Sequence, residues 1–161
     1  MSIINEIILS YRRPQEVFDN FLGQQFGESH ALGFLTAGCG IAFISHWPTL
    51  ARQSHFMDEP LDMMLGGALF GWIFLAPLLF YMLAALLALF LAVLGLRIHF
   101  LFVRLTLFWS FLATGPIMLM YGLANGFLGR GNTSNFFGFL WVAFFFWFLS
   151  CGYKTLRKAV R

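Results

Sequence analysis

The side chains best suited to chemistry in this sequence are four histidines, two cysteines and a serine within an apolar run. A membrane haem or metal site needs histidines that face each other from different helices, and a membrane serine protease needs a serine and a histidine at one depth. Ser110 lies inside its apolar run, where no histidine is expected. The histidines fall at the ends of such runs or between them, at His30, His46, His55 and His99. Their positions favour interfacial polar residues over a haem, metal or catalytic site.

The cysteines, glycines and charges give no stronger sign of chemistry. Cys39 and Cys151 each lie in an apolar run and form no CxxC pair, so we expect inert, buried thiols rather than a disulfide or a metal site. Residues 129–132 are a turn and not a phosphate-binding glycine loop. Ion-coupled transport usually needs an ionisable group within a span, and none lies near the centre of an apolar run. We therefore expect no catalytic residue, no metal ligand, no bound cofactor and no enzymatic activity.

The composition indicates the environment in which this chain folds. Of its 161 residues, 60% are hydrophobic and 11% are charged, compared with about 25% charged residues in a typical soluble domain. A soluble chain of this length cannot bury so much apolar surface, because small domains have a high surface-to-volume ratio. Its 22 phenylalanines suit the centre of membrane helices. The sequence therefore predicts an all-α integral membrane protein, and the net charge of +3 is not taken as a sign of nucleic-acid binding.

Four apolar segments within a domain of residues 27–161 are predicted to form transmembrane helices. They cover about 30–49, 63–96, 105–127 and 135–153. Pro48 is expected to end the first helix and Ser134 to cap the fourth, while Pro77 and Pro116 fall near the middle of the second and third. Residues 63–96 correspond to about 50 Å of helix, against a hydrocarbon core of about 30 Å. One long helix kinked near Pro77 is the favoured interpretation, and a re-entrant hairpin is the alternative.

Residues 1–26 are predicted to form an amphipathic N-terminal segment rather than a span. Pro14 suits the first turn of a second helix within it. Its apolar residues at helical spacing are Ile4, Ile7, Ile8, Tyr11, Val17, Phe18, Phe21 and Leu22. Such a segment can lie flat in the membrane interface, or it can pack against the bundle or a partner. The sequence leaves these interpretations open.

The lysines and arginines are distributed unevenly, and their distribution decides orientation. With four spans, Arg52 and Arg130 lie on one side of the membrane. The other side receives eight of the ten basic residues, Arg12, Arg13, Arg97, Arg104, Lys154, Arg157, Lys158 and Arg161. Both termini are therefore predicted to be cytoplasmic. Arg97 and Arg104 are expected to hold the second connection at that surface, with side chains that snorkel to lipid phosphates. No secretory signal is evident, so insertion is expected to rely on the spans.

Two proline-containing stretches carry a resemblance to a known family. The first is Arg13-Pro14-Gln15-Glu16-Val17-Phe18, in the amphipathic segment. The second is Pro60-Leu61-Asp62-Met63-Met64-Leu65-Gly66-Gly67-Ala68, which leads into a proline-containing span that two more apolar spans follow. This arrangement resembles the small bacterial members of the Yip1 family over most of the chain. The resemblance implies a polytopic helical protein without known catalysis, located in the bacterial inner membrane.

The same resemblance shapes what we expect of partners. Eukaryotic members bind small GTPases of the Rab type and carry a long polar N-terminal region. About 26 residues precede the first predicted span here, so we expect no Rab-type partner. We expect an accessory, assembly or organising subunit that binds membrane lipids, other integral membrane proteins or a second copy of itself. The alternatives are a permeation path for a neutral or apolar molecule and a subunit that binds quinone, pigment or haem.

Overall fold

The computed structural model describes residues 3–23, 26–57, 59–95, 99–129 and 131–159, and helices dominate all five ranges. Two short helices come first, α1 (Ile3–Arg12) and α2 (Pro14–Gly23), followed by the long α3 (Glu28–Met57). The next run consists of α4 (Leu61–Phe70), a π-helical turn (Gly71–Leu75) and α5 (Ala76–Val93). The remaining helices are α6 (Phe100–Ala113), α7 (Gly115–Leu128) and α8 (Asn132–Ala159). The all-α prediction is confirmed for the described chain.

Three helical runs of the described chain are long and apolar enough to cross a membrane. They are Glu28–Met57, Leu61–Val93 and Asn132–Thr155. The pair α6 and α7, bent by 43° at its break, makes a fourth candidate if it is counted as one broken span. The structure thus contains three or four candidate spans where the sequence predicted four.

α3 and α7 pack so closely that their backbones touch. A side chain on Gly122 would overlap the carbonyl oxygen of Ser45, and one on Gly126 would overlap the ring of Pro48. The Ser45 hydroxyl donates a hydrogen bond across this contact to the carbonyl oxygen of Met118, 2.5 Å away. Small residues at such positions let helix backbones approach each other. The spacing of Gly122 and Gly126 therefore places α7 directly against α3.

The centre of the bundle is filled by large side chains. Trp109 and Phe108 on α6 are fully buried. The Phe111 ring packs against the Phe80 ring of α5, with centroids 4.4 Å apart. Gly38 on α3 leaves the space that Phe111 occupies, since a Cβ there would lie 2.6 Å from the ring. Dispersion contacts of this kind hold the packed helices together.

α3 continues through Pro48 to Met57, so the prediction that Pro48 ends the first helix is wrong. Proline has no N–H to donate, and it weakens an isolated helix. Here the following turns are held from outside. The Arg52 guanidinium donates to the carbonyl oxygens of Gly126 and Phe127 at the end of α7, 3.3 and 3.1 Å away. Contacts between helices therefore extend α3 beyond the position where local chemistry favours its end.

The uncharged segment forms one helical run, Leu61–Val93, as the single-helix interpretation predicted. Its irregularity is the π-helical turn, in which the N–H of Ala76 bonds to the carbonyl oxygen of Gly71 five residues earlier. Pro77 follows directly, and in a regular helix its ring would clash with the carbonyl of Ile73. A widened turn relieves this clash without ending the helix.

The predicted third span is interrupted at Thr114, and α6 starts earlier than predicted, at Phe100. Pro116 is the cause, because it lacks an N–H and its ring excludes a regular turn before it. The Thr114 hydroxyl lies 2.8 Å from the carbonyl oxygen of Phe111 and satisfies one of the groups that the break leaves open. The single helix predicted over 105–127 is therefore a bent pair.

α8 begins at Asn132, so Ser134 lies inside the helix and does not cap it as predicted. The N–H of Asn135 bonds to the carbonyl oxygen of Gly131, which starts the helix earlier. The buried Ser134 hydroxyl instead donates to the side-chain oxygen of Asn125 on α7. This bond ties the end of α7 to the start of α8.

Candidate functional site

The four histidines lie apart from one another. His30 is exposed in the first turn of α3, and His55 lies in its last turn. His46 faces the ring of Trp72 with centroids 6.1 Å apart, and His99 directly precedes α6. No group of three or more potential metal ligands is found within the described ranges. The histidines occupy separate environments and form no common centre.

The sulfur and hydroxyl nucleophiles are buried within helices. Cys39 on α3 and Cys151 on α8 are buried free thiols. The fully buried Ser110 hydroxyl donates to the carbonyl oxygen of Thr106, one turn earlier and 2.7 Å away. Serines within apolar helices commonly satisfy their hydroxyl in this way. These groups have the geometry of packing and backbone-bonding residues.

The N-terminal helices α1 and α2 pack against the bundle. Val17, Phe18 and Phe21 on α2 are buried, and the Phe21 ring meets the Trp109 ring edge to face with centroids 5.1 Å apart. On α8, Gly152 lacks a side chain and so makes room for Phe18. Of the interpretations that the sequence left open, packing against the protein's own bundle describes α2.

Two hydrogen bonds, one buried and one partly buried, fix α1 on α6. Trp109 Nε1 donates to the Ser10 hydroxyl oxygen, 3.0 Å away, and the Ser10 hydroxyl donates to the carbonyl oxygen of Glu6. The Tyr11 hydroxyl donates to the carbonyl oxygen of Ala113, 2.9 Å away. This carbonyl lies at the end of α6, where the helix supplies no regular donor. Burial raises the pKa of Tyr11 to about 12, so the phenol remains protonated at neutral pH.

The helices α1 and α2, the docked N-terminal pair, reach the middle of the bundle's length. The Tyr11 ring packs against Phe144 and Phe148, near the centre of α8, with centroids 5.6 and 5.3 Å apart. Two residues after Tyr11, Arg13 forms an exposed ion pair with Glu16, 2.8 Å long. The outer face of the pair therefore carries charged side chains beside the centre of the bundle.

The side chain of Arg104 is largely covered by other parts of the protein. Its side chain is 15% exposed and pairs with Glu28 at the start of α3. Its guanidinium lies 4.3 Å from the centroid of the Phe100 ring and 5.7 Å from that of Tyr81. Its partners Glu28 and Tyr81 belong to α3 and α5, and the expected snorkelling of Arg104 to lipid phosphates stays a prediction. Other arginines of the orientation argument lie outside the described residues, namely Arg97, Arg130 and Arg161.

Two grooves border the long helical run. One of about 640 Å³ lies between α3 and α4–α5, with Gly67, Gly71 and His46 on its walls. The other, of about 510 Å³, lies between α5, α6 and α8, with Lys154 and Arg157 at one end. Both volumes fall in the range of small-molecule sites, about 300–1,000 Å³. Their walls are mainly apolar, so they suit hydrocarbon or a partner helix better than a polar metabolite.

Sequence reasoning did not single out Ser10, Lys154 or Arg157 as site residues. For Ser10, the sequence shows only a hydroxyl residue within a predicted amphipathic helix, directly before the aromatic Tyr11. The signal for Lys154 and Arg157 was their spacing of three residues, which places both on one face of a helix. Their position beside α5 and α6 depends on the tertiary fold and has no local signal.

Comparisons with known proteins assign the chain to no family. It matches no protein-family model, no curated protein and no solved structure.

Proposed function

We propose that this chain is a non-catalytic, Yip1-like membrane protein that associates with other integral membrane proteins through the exposed side of the helical run Leu61–Val93. One observation carries the proposal. This run is the most apolar of the candidate spans, yet only 11% of its apolar window is buried. Its buried residues are Ala84 and Leu91. Most of the run therefore faces the surroundings of the protein.

The groove beside α4 supports a helix as the partner's contacting element. Gly66, Gly67 and Gly71 each have open space where a side chain would stand. Met63 and Met64 border the same groove. Small residues let a second backbone approach closely, and methionine adapts to an irregular surface. A transmembrane helix of another protein is the proposed occupant, and a second copy of this chain is the alternative outcome of the test.

The same proposal counts α6 and α7 as one broken span. Arg104 on α6 meets Glu28 at the start of α3, and Arg52 towards the end of α3 caps α7. The bent pair thus follows α3 from one end towards the other. Four spans and the uneven distribution of basic residues support the proposal that both termini lie in the bacterial cytoplasm. A C-terminal fusion to a reporter that is active only outside the cytoplasm should be silent, and a strong signal would overturn this topology.

Site-specific photocrosslinking in intact cells tests the docking face. A photoreactive residue at Phe74 or Leu78, which are 64% and 68% exposed, should give a discrete crosslinked protein band. The same residue at Phe139, which is 76% exposed on α8, is the matched control and should give none. A band at twice the mass of the chain would replace the proposed partner by a second copy. No protein band at either Phe74 or Leu78, in membranes that contain the protein, would refute the association.

A further inference from the structure

A groove of about 510 Å³ opens between the end of α5, the start of α6 and the end of α8. Its apolar walls include Leu87 and Leu91 on α5, Val103 on α6 and Leu149 on α8. Leu91 and Val103 are themselves buried, so the walls are part of the packed bundle. Such walls offer dispersion contacts to a hydrocarbon chain and present few polar groups that the chain would leave unpaired. The groove therefore suits an acyl chain.

One end of this groove is cationic. Lys154 and Arg157 lie three residues apart on α8 and border the groove together with Tyr153. None of the described residues that line it is an aspartate or a glutamate. Within the described chain neither cation forms an ion pair, whereas Arg13 and Arg104 each have a glutamate partner. Two cations without a partner, next to apolar walls, are complementary to an amphiphile with an anionic head.

We propose that this groove binds an anionic phospholipid, with an acyl chain along the walls and the headgroup phosphate on Lys154 and Arg157. The proposal rests on the membrane insertion proposed above, which places the end of α8 at the cytoplasmic surface. Anionic lipids of that leaflet attract basic residues, and arginine binds phosphate with two parallel hydrogen bonds. A zwitterionic lipid carries its own ammonium group next to the phosphate. Selectivity for the anionic headgroup is therefore the expected signature of the site.

Native mass spectrometry of the full-length protein in detergent micelles measures this selectivity. Phosphatidylglycerol is the anionic probe, and phosphatidylcholine with the same acyl chains is the comparison lipid. We expect phosphatidylglycerol to bind about tenfold more tightly, given two cations at the site. The double variant Lys154→Gln/Arg157→Gln should reduce this ratio to about one. The matched control Arg12→Gln/Arg13→Gln removes the same charge from exposed residues outside the groove and should leave the ratio unchanged.

A second variant tests the walls without a change of charge. Leu94 borders the groove and is 57% exposed, so the indole of Leu94→Trp has room to fill the groove without disturbing the core. This variant should weaken the binding of both lipids and keep their ratio. Displacement of phosphatidylglycerol by glycerol 3-phosphate alone would show a site for free phosphate and would overturn the acyl-chain seat.

Two outcomes would overturn the site as a whole. An unchanged ratio in Lys154→Gln/Arg157→Gln would show that these cations do not select the lipid. An equal loss of ratio in the Arg12→Gln/Arg13→Gln control would show attraction by net charge alone. Alkaline extraction and the crosslinks at Phe74 are measured on the parent protein in parallel. Retention in the membrane and crosslinking without lipid selectivity would refute the lipid site alone, whereas release as a peripheral protein would refute the proposed function.

Discussion

Replacement of Gly122 by alanine tests whether direct backbone contact between α3 and α7 determines the stability of this bundle. The new methyl group would overlap the carbonyl oxygen of Ser45 and lie 2.5 Å from its hydroxyl oxygen. The carbonyl oxygen belongs to the backbone of α3 and cannot rotate away. The hydroxyl is held by its hydrogen bond to the Met118 carbonyl oxygen of α7. The two helices must therefore move apart.

The size of the effect follows from three contributions. Overpacking of a close contact costs about 1–3 kcal/mol. Loss of the Ser45–Met118 hydrogen bond costs about 1 kcal/mol more. The higher helix propensity of alanine returns about 1 kcal/mol. The net expectation for Gly122→Ala is a destabilisation of about 2 kcal/mol, which is roughly a thirtyfold change in the unfolding equilibrium.

Unfolding in mixed micelles of dodecyl sulfate and dodecyl maltoside, followed by tryptophan emission, measures this difference. Gly40→Ala on α3 is the matched control, because a Cβ at Gly40 meets nothing within 4 Å. The control should be neutral or slightly stabilised through helix propensity. Equal midpoints for Gly122→Ala and Gly40→Ala would refute the close contact between α3 and α7.

Three further predictions concern the N-terminal pair and Arg104. Ser10→Ala should destabilise the docked pair by about 1–3 kcal/mol, because the buried Trp109 N–H loses its acceptor. Amide hydrogen exchange in α2 should therefore become faster. Adding Trp109→Phe, which removes the unpaired N–H, should prevent this increase. Burial raises the pKa of Tyr11 from 10.0 to about 12, so the protonated phenol stabilises the fold fully below pH 10. This contribution to the free energy of unfolding should be lost between pH 10 and 12. The melting temperature of Tyr11→Phe should not show this loss. Arg104→Met should lower the melting temperature more than Glu28→Gln, since Arg104 also stacks on aromatic rings while Glu28 is 57% exposed; equal shifts would contradict a role for the stacking.

Local sequence patterns were sufficient to predict the helical architecture. The uncharged segment at 63–96 predicted one long helix, and Leu61–Val93 is one helical run. Periodicity and composition act over a few residues, which is the scale on which a helix is decided.

Local patterns failed where contacts distant in sequence compete with them. Proline rules favour a helix end at Pro48, but Arg52 binds carbonyl oxygens of α7 and holds the next turns in place. The charge of Arg104 indicated a surface connection, but Arg104 lies within α6, where Glu28 and two aromatic rings contact its side chain. In the candidate lipid groove, only the spacing of Lys154 and Arg157 was readable beforehand. The groove itself exists because α6 lies between α5 and α8.

The docked N-terminal pair constrains how lipid can surround the bundle. Phe111 packs at Gly38 and Gly115 at Ile41, so the break between α6 and α7 lies beside the middle of the apolar part of α3. Tyr11 bonds to α6 at this break, and the ion pair of Arg13 follows within two residues. A charged side chain at the centre of a membrane helix costs about 2.5–3.5 kcal/mol on insertion scales. The pairing of Arg13 with a glutamate reduces that cost, but both side chains are at least half exposed. Within the proposed membrane insertion, the outer face of α2 therefore disfavours direct contact with acyl chains, unlike the exposed face of residues 63–93, which carries no charged side chain.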